Sequence, residues 1–134
     1  MNINTQLKST ATQYDYLGTN SKGHGVRINA DGNGVSPMEN LLLSVAACSC
    51  VDIEMLLVKM RNNLTSLTVD VKGERVEDVV PKPFTAIHLH YKLYGEVKEK
   101  SATKVVAMSV EKYCSVSACL DPDIKVTHSF EILP

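Results

Sequence analysis

From Leu41 to Val58 apolar residues occupy nearly every side of a helix, and no other stretch limits the fold of this chain as strongly. The start is marked by Ser36-Pro37-Met38-Glu39: Ser36 can cap, Pro37 fits the first helical position where its missing N–H costs nothing, and Glu39 stands where a capping box wants an acid. Leu41, Leu42, Val45, Cys48, Asp52, Met55, Leu56 and Lys59 then step by three or four, which predicts a helix running to about Asn62. Small residues at Ala46, Ala47 and Ser49 let other backbones approach closely. Such a helix is central to its fold. Ser44, Ser49, Asp52 and Glu54 interrupt the run and make it too polar to read as a membrane span.

The flanks read as strands. INTQLKSTATQYDYLG and HGVRINA are extended segments broken at Gly and Asn, and they predict an antiparallel meander closed by Asp31-Gly32-Asn33-Gly34. Residues 64–76 alternate Leu64, Leu67, Val69 and Val71 with polar neighbours, and residues 84–95 alternate Ile87, Leu89, Tyr91 and Leu93 with His88, His90, Lys92 and Tyr94. Both are half-buried strands joined by an EDVVPKP connection. Val105, Val106, Met108, Val110 and Tyr113 predict a second helix from Ser101 to near Cys114. Asp121-Pro122-Asp123 turns into a final alternating strand, IKVTHSFEI. The order is β-meander, long central helix, two strands, second helix and terminal strand: an α+β fold in a single domain over 1–134.

At 134 residues the chain can bury a core without disulfides. Its 14 Lys+Arg against 15 Asp+Glu give a net charge of −1, with no dense basic run, so nucleic acid and membrane surfaces are not expected partners. The N-terminus lacks a basic region followed by an apolar one, and the expected location is the cytoplasm, where thiols are kept reduced. Four cysteines, Cys48, Cys50, Cys114 and Cys119, are then metal ligands, redox groups or small apolar filler.

Structural zinc takes ligands in pairs at C-x2-4-C spacing on loops. Cys48 and Cys50 lie about 200° apart around a helix axis and cannot both face one ion. Cys114 and Cys119 are also poorly spaced, and His88 and His90 share a strand face with no thiol near them in sequence, where solvated outer positions are expected. No metal or other cofactor is expected. A redox centre is the second option: Cys48 shares a stripe with Leu41, Val45, Asp52 and Met55, while Cys114 ends a helix before Ser-Val-Ser, whose amides could stabilise a thiolate. Buried filler remains the commonest fate of a lone cytosolic cysteine, and spacing alone does not displace it.

SPMENLLLSVAACSCVDIEML, followed much later by EKYCSVSACLDPDIKV and a terminal strand, resembles the OsmC/Ohr family of peroxide-handling proteins, on the branch with an SPME start and an EKYCSV block. The resemblance covers nearly the whole chain. It implies that Cys48 takes the peroxidatic position and Cys114 the resolving one, while Cys50 and Cys119 have no family role and are expected to pack. Ohr-type members place a Glu directly after the Pro, where this chain has Met38 with Glu39 one later, and many read Cys-Pro-Val-Ser where this chain has Cys-Ser-Val-Ser. Their thiolate pairs with an Arg from an N-terminal glycine-rich turn. The candidate here is Arg27, oriented by Glu39, with Lys22 a poorer cation because an ammonium lacks the bidentate fork.

The resemblance thus implies thiol-dependent reduction of organic hydroperoxides through a Cys48 sulfenic acid and a disulfide to Cys114, reset by an external dithiol. It also implies an intertwined homodimer, in keeping with a helix apolar on too many sides for one short chain to cover. The competing expectations are a non-catalytic small-molecule-binding dimer of the same fold and a structural-metal module.

Overall fold

The computed structural model describes all 134 residues. In chain order they form β1 (Thr5–Ser9), β2 (Asp15–Asn20), β3 (Gly25–Asn29), α1 (Pro37–Lys59), β4 (Asn63–Arg75), β5 (Phe84–Glu96), α2 (Glu99–Met108), a π-helical turn (Ser109–Tyr113), α3 (Ser115–Ala118) and β6 (Lys125–Leu133). This is the expected α+β order, with two differences. The first extended run divides into β1 and β2 at a turn where Tyr14 takes a φ of 63° and the Thr10 amide donates to the Asp15 carbonyl. The second helix ends in the π-helical turn, after which Cys114 opens the short α3. The chain divides into two compact units, Met1–Leu41 and Leu42–Pro134.

In the second unit β4, β5 and β6 form one sheet, with β5 central, β4 antiparallel to it and β6 parallel. A parallel neighbour needs a crossover, and α2 supplies it. The alternation along β5 sends Ile87, Leu89, Tyr91 and Leu93 to one face, where all four are fully buried. Val45, Ile53 and Leu57 of α1 and Val105 and Val106 of α2 complete that core. Burying each such side chain contributes about 1.5–3 kcal/mol. At the end of the β4–β5 pair Gly95 takes a φ of 118°, and a Cβ there would run into the Asn63 carbonyl, so the bulge between Leu64 and Ser66 requires glycine.

By length and a mean hydropathy of 2.1, α1 could cross a membrane, contrary to the polarity expected to disqualify it. In this structure Val45, Ile53 and Leu57 of α1 are sealed in the core, and the Ser49 hydroxyl is bonded to Tyr91. On the outer face of the sheet His88 and His90 are not the freely solvated residues expected. Both are half-buried and hydrogen-bonded to side chains of β6.

The first unit is an antiparallel meander in the order β1-β2-β3. Its interior is polar. The buried Asp15 carboxylate accepts from Arg27 Nε (2.6 Å) and Asn29 Nδ2 (2.9 Å) at Oδ1, and from Thr10 Oγ1 (2.8 Å) at Oδ2. Asn29 in turn accepts from the Asp31 and Asn33 amides, which sets the turn before α1. The capping box forms as expected: the Glu39 amide donates to Ser36 Oγ (3.1 Å), and the Ser36 amide donates to Glu39 Oε1 (2.9 Å). The Ser36 amide, then its hydroxyl, holds the Glu39 carboxyl below its ordinary value.

The donors from Asn29, then Arg27 and Thr10, lower the Asp15 pKa from 3.8 to about 2. A carboxyl with a depressed folded value contributes stability that is present above 3.8 and is lost as pH falls through about 2. Amide exchange protection of the β1–β3 strands is therefore expected to decline between those values. In Asp15→Asn the same strands should show weaker protection at neutral pH and a shallower decline on acidification.

Candidate active site

The second unit brings Cys48 and Cys114 together. Cys48 lies midway along α1, and Cys114 is the N-cap of α3, almost fully buried. The Cys114 thiol donates to the Val45 carbonyl at 3.8 Å, one turn before Cys48 on α1, and its sulfur accepts from the Ser117 amide at 3.4 Å. The Cys48 thiol is within hydrogen-bonding reach of it. Sequence spacing placed these residues far apart; the π-helical turn carries the chain out of α2 so that Cys114 meets α1.

Burial pushes the Cys114 thiol up, and Cys48 adds to the rise, against the pull of the Ser117 hydroxyl and amide. Cys50 lies about 200° from Cys48 around the α1 axis; burial, then the charge of Glu54, pushes its thiol up to about 11. Cys119 is the exposed C-cap of α3. Neither Cys50 nor Cys114 therefore stands as a thiolate at neutral pH.

One polar pair behind the thiols had no sequence signal beyond the inward phase of Tyr91. Tyr91 is fully buried, its hydroxyl 2.6 Å from Ser49 Oγ, and Ser49 Oγ donates to the Ala46 carbonyl at 2.8 Å. With the serine proton committed to Ala46, the tyrosine donates. Burial pushes the Tyr91 hydroxyl up to about 12, with Ser49 opposing and Cys50 and Cys114 adding to the rise. Along the stripe that continues from Cys48, Asp52, Met55, Leu56 and Lys59 join Tyr113 in lining a cleft of about 240 Å³.

The other two expected site residues lie in the first unit. Arg27 is held through its Nε by Asp15, with 59% of its side chain exposed, and Glu39 is engaged by Ser36. No group of three or more His, Cys, Asp or Glu side chains gathers to hold a metal ion.

Residues 30–129 match the family model described as OsmC-like protein. The chain belongs to the OsmC-like family. Protein YhfA of Escherichia coli K12 is 34% identical over 121 residues, spanning 88% of this chain and 90% of YhfA. A crystal structure of a hypothetical protein from Aquifex aeolicus VF5 superposes with a TM-score of 0.88 at 32% identity, covering 99% of this chain and 97% of that one. An organic hydroperoxide resistance protein OsmC from Legionella pneumophila shares the fold with a TM-score of 0.73 at 13% identity, over 98% and 97% of the two chains. The α+β architecture is thus that of OsmC-like structures.

In this OsmC-like chain the Ser49–Tyr91 bond ties the helix that carries Cys48 to the central strand. Ser49→Ala leaves a buried tyrosine hydroxyl without an acceptor and is expected to cost about 1–3 kcal/mol, whereas Tyr91→Phe leaves Ser49 still bonded to Ala46 and costs about 1 kcal/mol. Urea unfolding of both variants and of the double variant checks this. The double variant should lose less than the two single losses together.

Proposed function

We propose that this protein reduces organic hydroperoxides with Cys48 as the peroxidatic and Cys114 as the resolving thiol, as a homodimer in a reducing compartment such as the cytoplasm. The observation that carries the reading is the adjacency of the Cys48 and Cys114 thiols, while Cys50 faces elsewhere and Cys119 caps α3. Family membership and the fold shared with the organic hydroperoxide resistance protein of Legionella support it.

The Cys48 thiolate attacks the outer peroxide oxygen and the O–O bond breaks. The products are a Cys48 sulfenic acid and an alkoxide that takes a proton to leave as the alcohol. Cys114 sulfur then attacks Cys48 sulfur, water leaves, and a disulfide forms; an external dithiol returns both thiols and is itself oxidised. The order suits the electrostatics. Oxidising Cys48 removes the negative charge that helps to hold the Cys114 proton, so the resolving thiol ionises more readily once the sulfenic acid exists. Met55, Leu56 and Tyr113 offer an apolar wall to an alkyl or aryl tail.

A mid-helix thiolate gains little from the helix dipole, so a side-chain cation must favour it. Arg27 is that cation in this proposal. Its Nε is taken by Asp15, which leaves the two terminal amino groups of the fork and passes to Asp15 the orienting role expected of Glu39. The proposal takes the two units as one OsmC-like domain, in keeping with the YhfA match, which runs over 121 residues and so across both. Support for the homodimer comes from α1, where Leu43, Val51, Met55 and Val58 are 53%, 60%, 58% and 70% exposed along one side, an apolar stripe suited to a second copy.

Cys48→Ser is expected to abolish consumption of cumene hydroperoxide by the dithiothreitol-reduced protein. Cys114→Ser should retain a single turnover and leave a sulfenic acid that dimedone labels. Full consumption by Cys48→Ser would sink the proposal, and no consumption by the unaltered protein would favour a non-catalytic binding dimer. Gel filtration should give twice the chain mass; a monomer mass would remove the dimer.

A further inference from the structure

The outer face of the β4–β5–β6 sheet carries a second cluster with no part in thiol chemistry. Period-two alternation puts His88 and His90 on the same side of β5, opposite Thr127 and Ser129 of β6. Ser129 Oγ lies 3.0 Å from His88 Nε2 and 2.7 Å from His90 Nδ1, so one nitrogen of each ring is directed at the same point. The other two nitrogens are held from behind: His88 Nδ1 is 2.6 Å from Thr127 Oγ1, and His90 Nε2 is 3.4 Å from Glu131 Oε1.

Proton counting gives this arrangement two states. With the His88 proton on Nε2, each contact has one donor: Thr127 to His88, His88 to Ser129, Ser129 to His90, and His90 to Glu131. With the His88 proton on Nδ1, that N–H donates to Thr127 and both inward nitrogens present lone pairs to Ser129, whose single proton can serve only one of them. The second state is the arrangement that metal-binding histidines adopt, in which the non-ligating N–H donates to an oxygen behind it and a carboxylate takes one of the two. A cation held between the two nitrogens and Ser129 Oγ satisfies both lone pairs, and binding selects that tautomer.

We propose that His88 and His90 form an exchangeable site for a divalent late transition-metal ion, closed by the Ser129 hydroxyl and water. Two imidazoles fall short of the four ligands of a structural centre, in keeping with an open site on a half-buried sheet face. Imidazole donors suit copper, nickel and zinc over calcium or magnesium, and affinity should follow the order in which copper exceeds nickel. Glu131 holds the His90 ring and adds negative charge. Asp70, opposite His90 in register, is engaged by Lys92 at 3.4 Å, and Lys72, opposite His88, faces Glu74 at 4.0 Å. Acid competes with the metal, because protonating either imidazole removes a ligand.

Calorimetric titration of Ni2+ into the reduced full-length protein above neutral pH tests this, and the expected result is one saturable site per chain. His88→Gln and His90→Gln should each abolish it, and Glu131→Gln should weaken it about tenfold. The Cys48→Ser/Cys114→Ser double variant should bind as the unaltered protein does. Loss of binding in that double variant would place the ion on the thiols and overturn the proposal, as would persistence in His88→Gln or the absence of a saturable site. Paramagnetic broadening by Ni2+ in the unaltered protein should centre on the amides of His88, His90 and Ser129; broadening centred elsewhere would also overturn it. None of these outcomes bears on the peroxide reading, which is scored by hydroperoxide consumption.

Discussion

The bond between Ser49 and Tyr91 sets the rotation of α1, and much of the second unit depends on that setting. A helix with apolar residues on nearly every side can satisfy the hydrophobic effect at several rotations, because burying one leucine or another yields similar free energy. A buried hydroxyl removes that freedom, since any rotation that takes Ser49 from Tyr91 strands the tyrosine donor in a core lined by Ile87, Leu89 and Leu93. With the rotation set, Val45 presents its carbonyl to Cys114 and Cys48 comes beside that thiol. The polar pair at the centre therefore determines which cysteine of α1 stands beside Cys114.

The two thiols are asymmetric for the same reason. Cys114 is enclosed between α1 and the first turn of α3, where desolvation disfavours its anion more than the Ser117 donors favour it. A thiol kept protonated until its neighbour changes charge can wait beside a nucleophile without competing with it. In the proposed reaction, two thiols exposed at a helix end would each ionise alone and the proposed order of attack would be lost. The short α3 and the π-helical turn before it create the asymmetry; a continuous α2 would have carried Cys114 along the helix instead of back to α1.

The elements were legible where one period dominated. The strict alternation of β5 and the stepped apolar residues of α1 each match a single template, and Ser36-Pro37-Met38-Glu39 announces its own capping box. The Cys48 and Cys114 pairing came through family resemblance, because nothing in the spacing says that a chain will bend at Ser109–Tyr113. Asp15 was invisible. Its role comes from partners at Thr10, Arg27 and Asn29, which only antiparallel register brings together. The parallel pairing of β6 was hidden for a similar reason, since a nine-residue alternating strand fits either direction and the crossover through α2 decides.

Period two also explains how one strand can face two environments. Tyr91 and its inward neighbours on β5 are sealed against α1, while His88 and His90, each one residue from an inward side chain, stand on the opposite face among hydroxyls and carboxylates. The sheet between them is a layer of paired backbone amides with no free polar group to carry a proton across. A one-residue slip of β5 would exchange the two faces, burying both imidazoles in an apolar core and exposing Ile87, Leu89, Tyr91 and Leu93 together. The cost of that exchange holds the register, and with it the separation of the outer cluster from the cysteine pair.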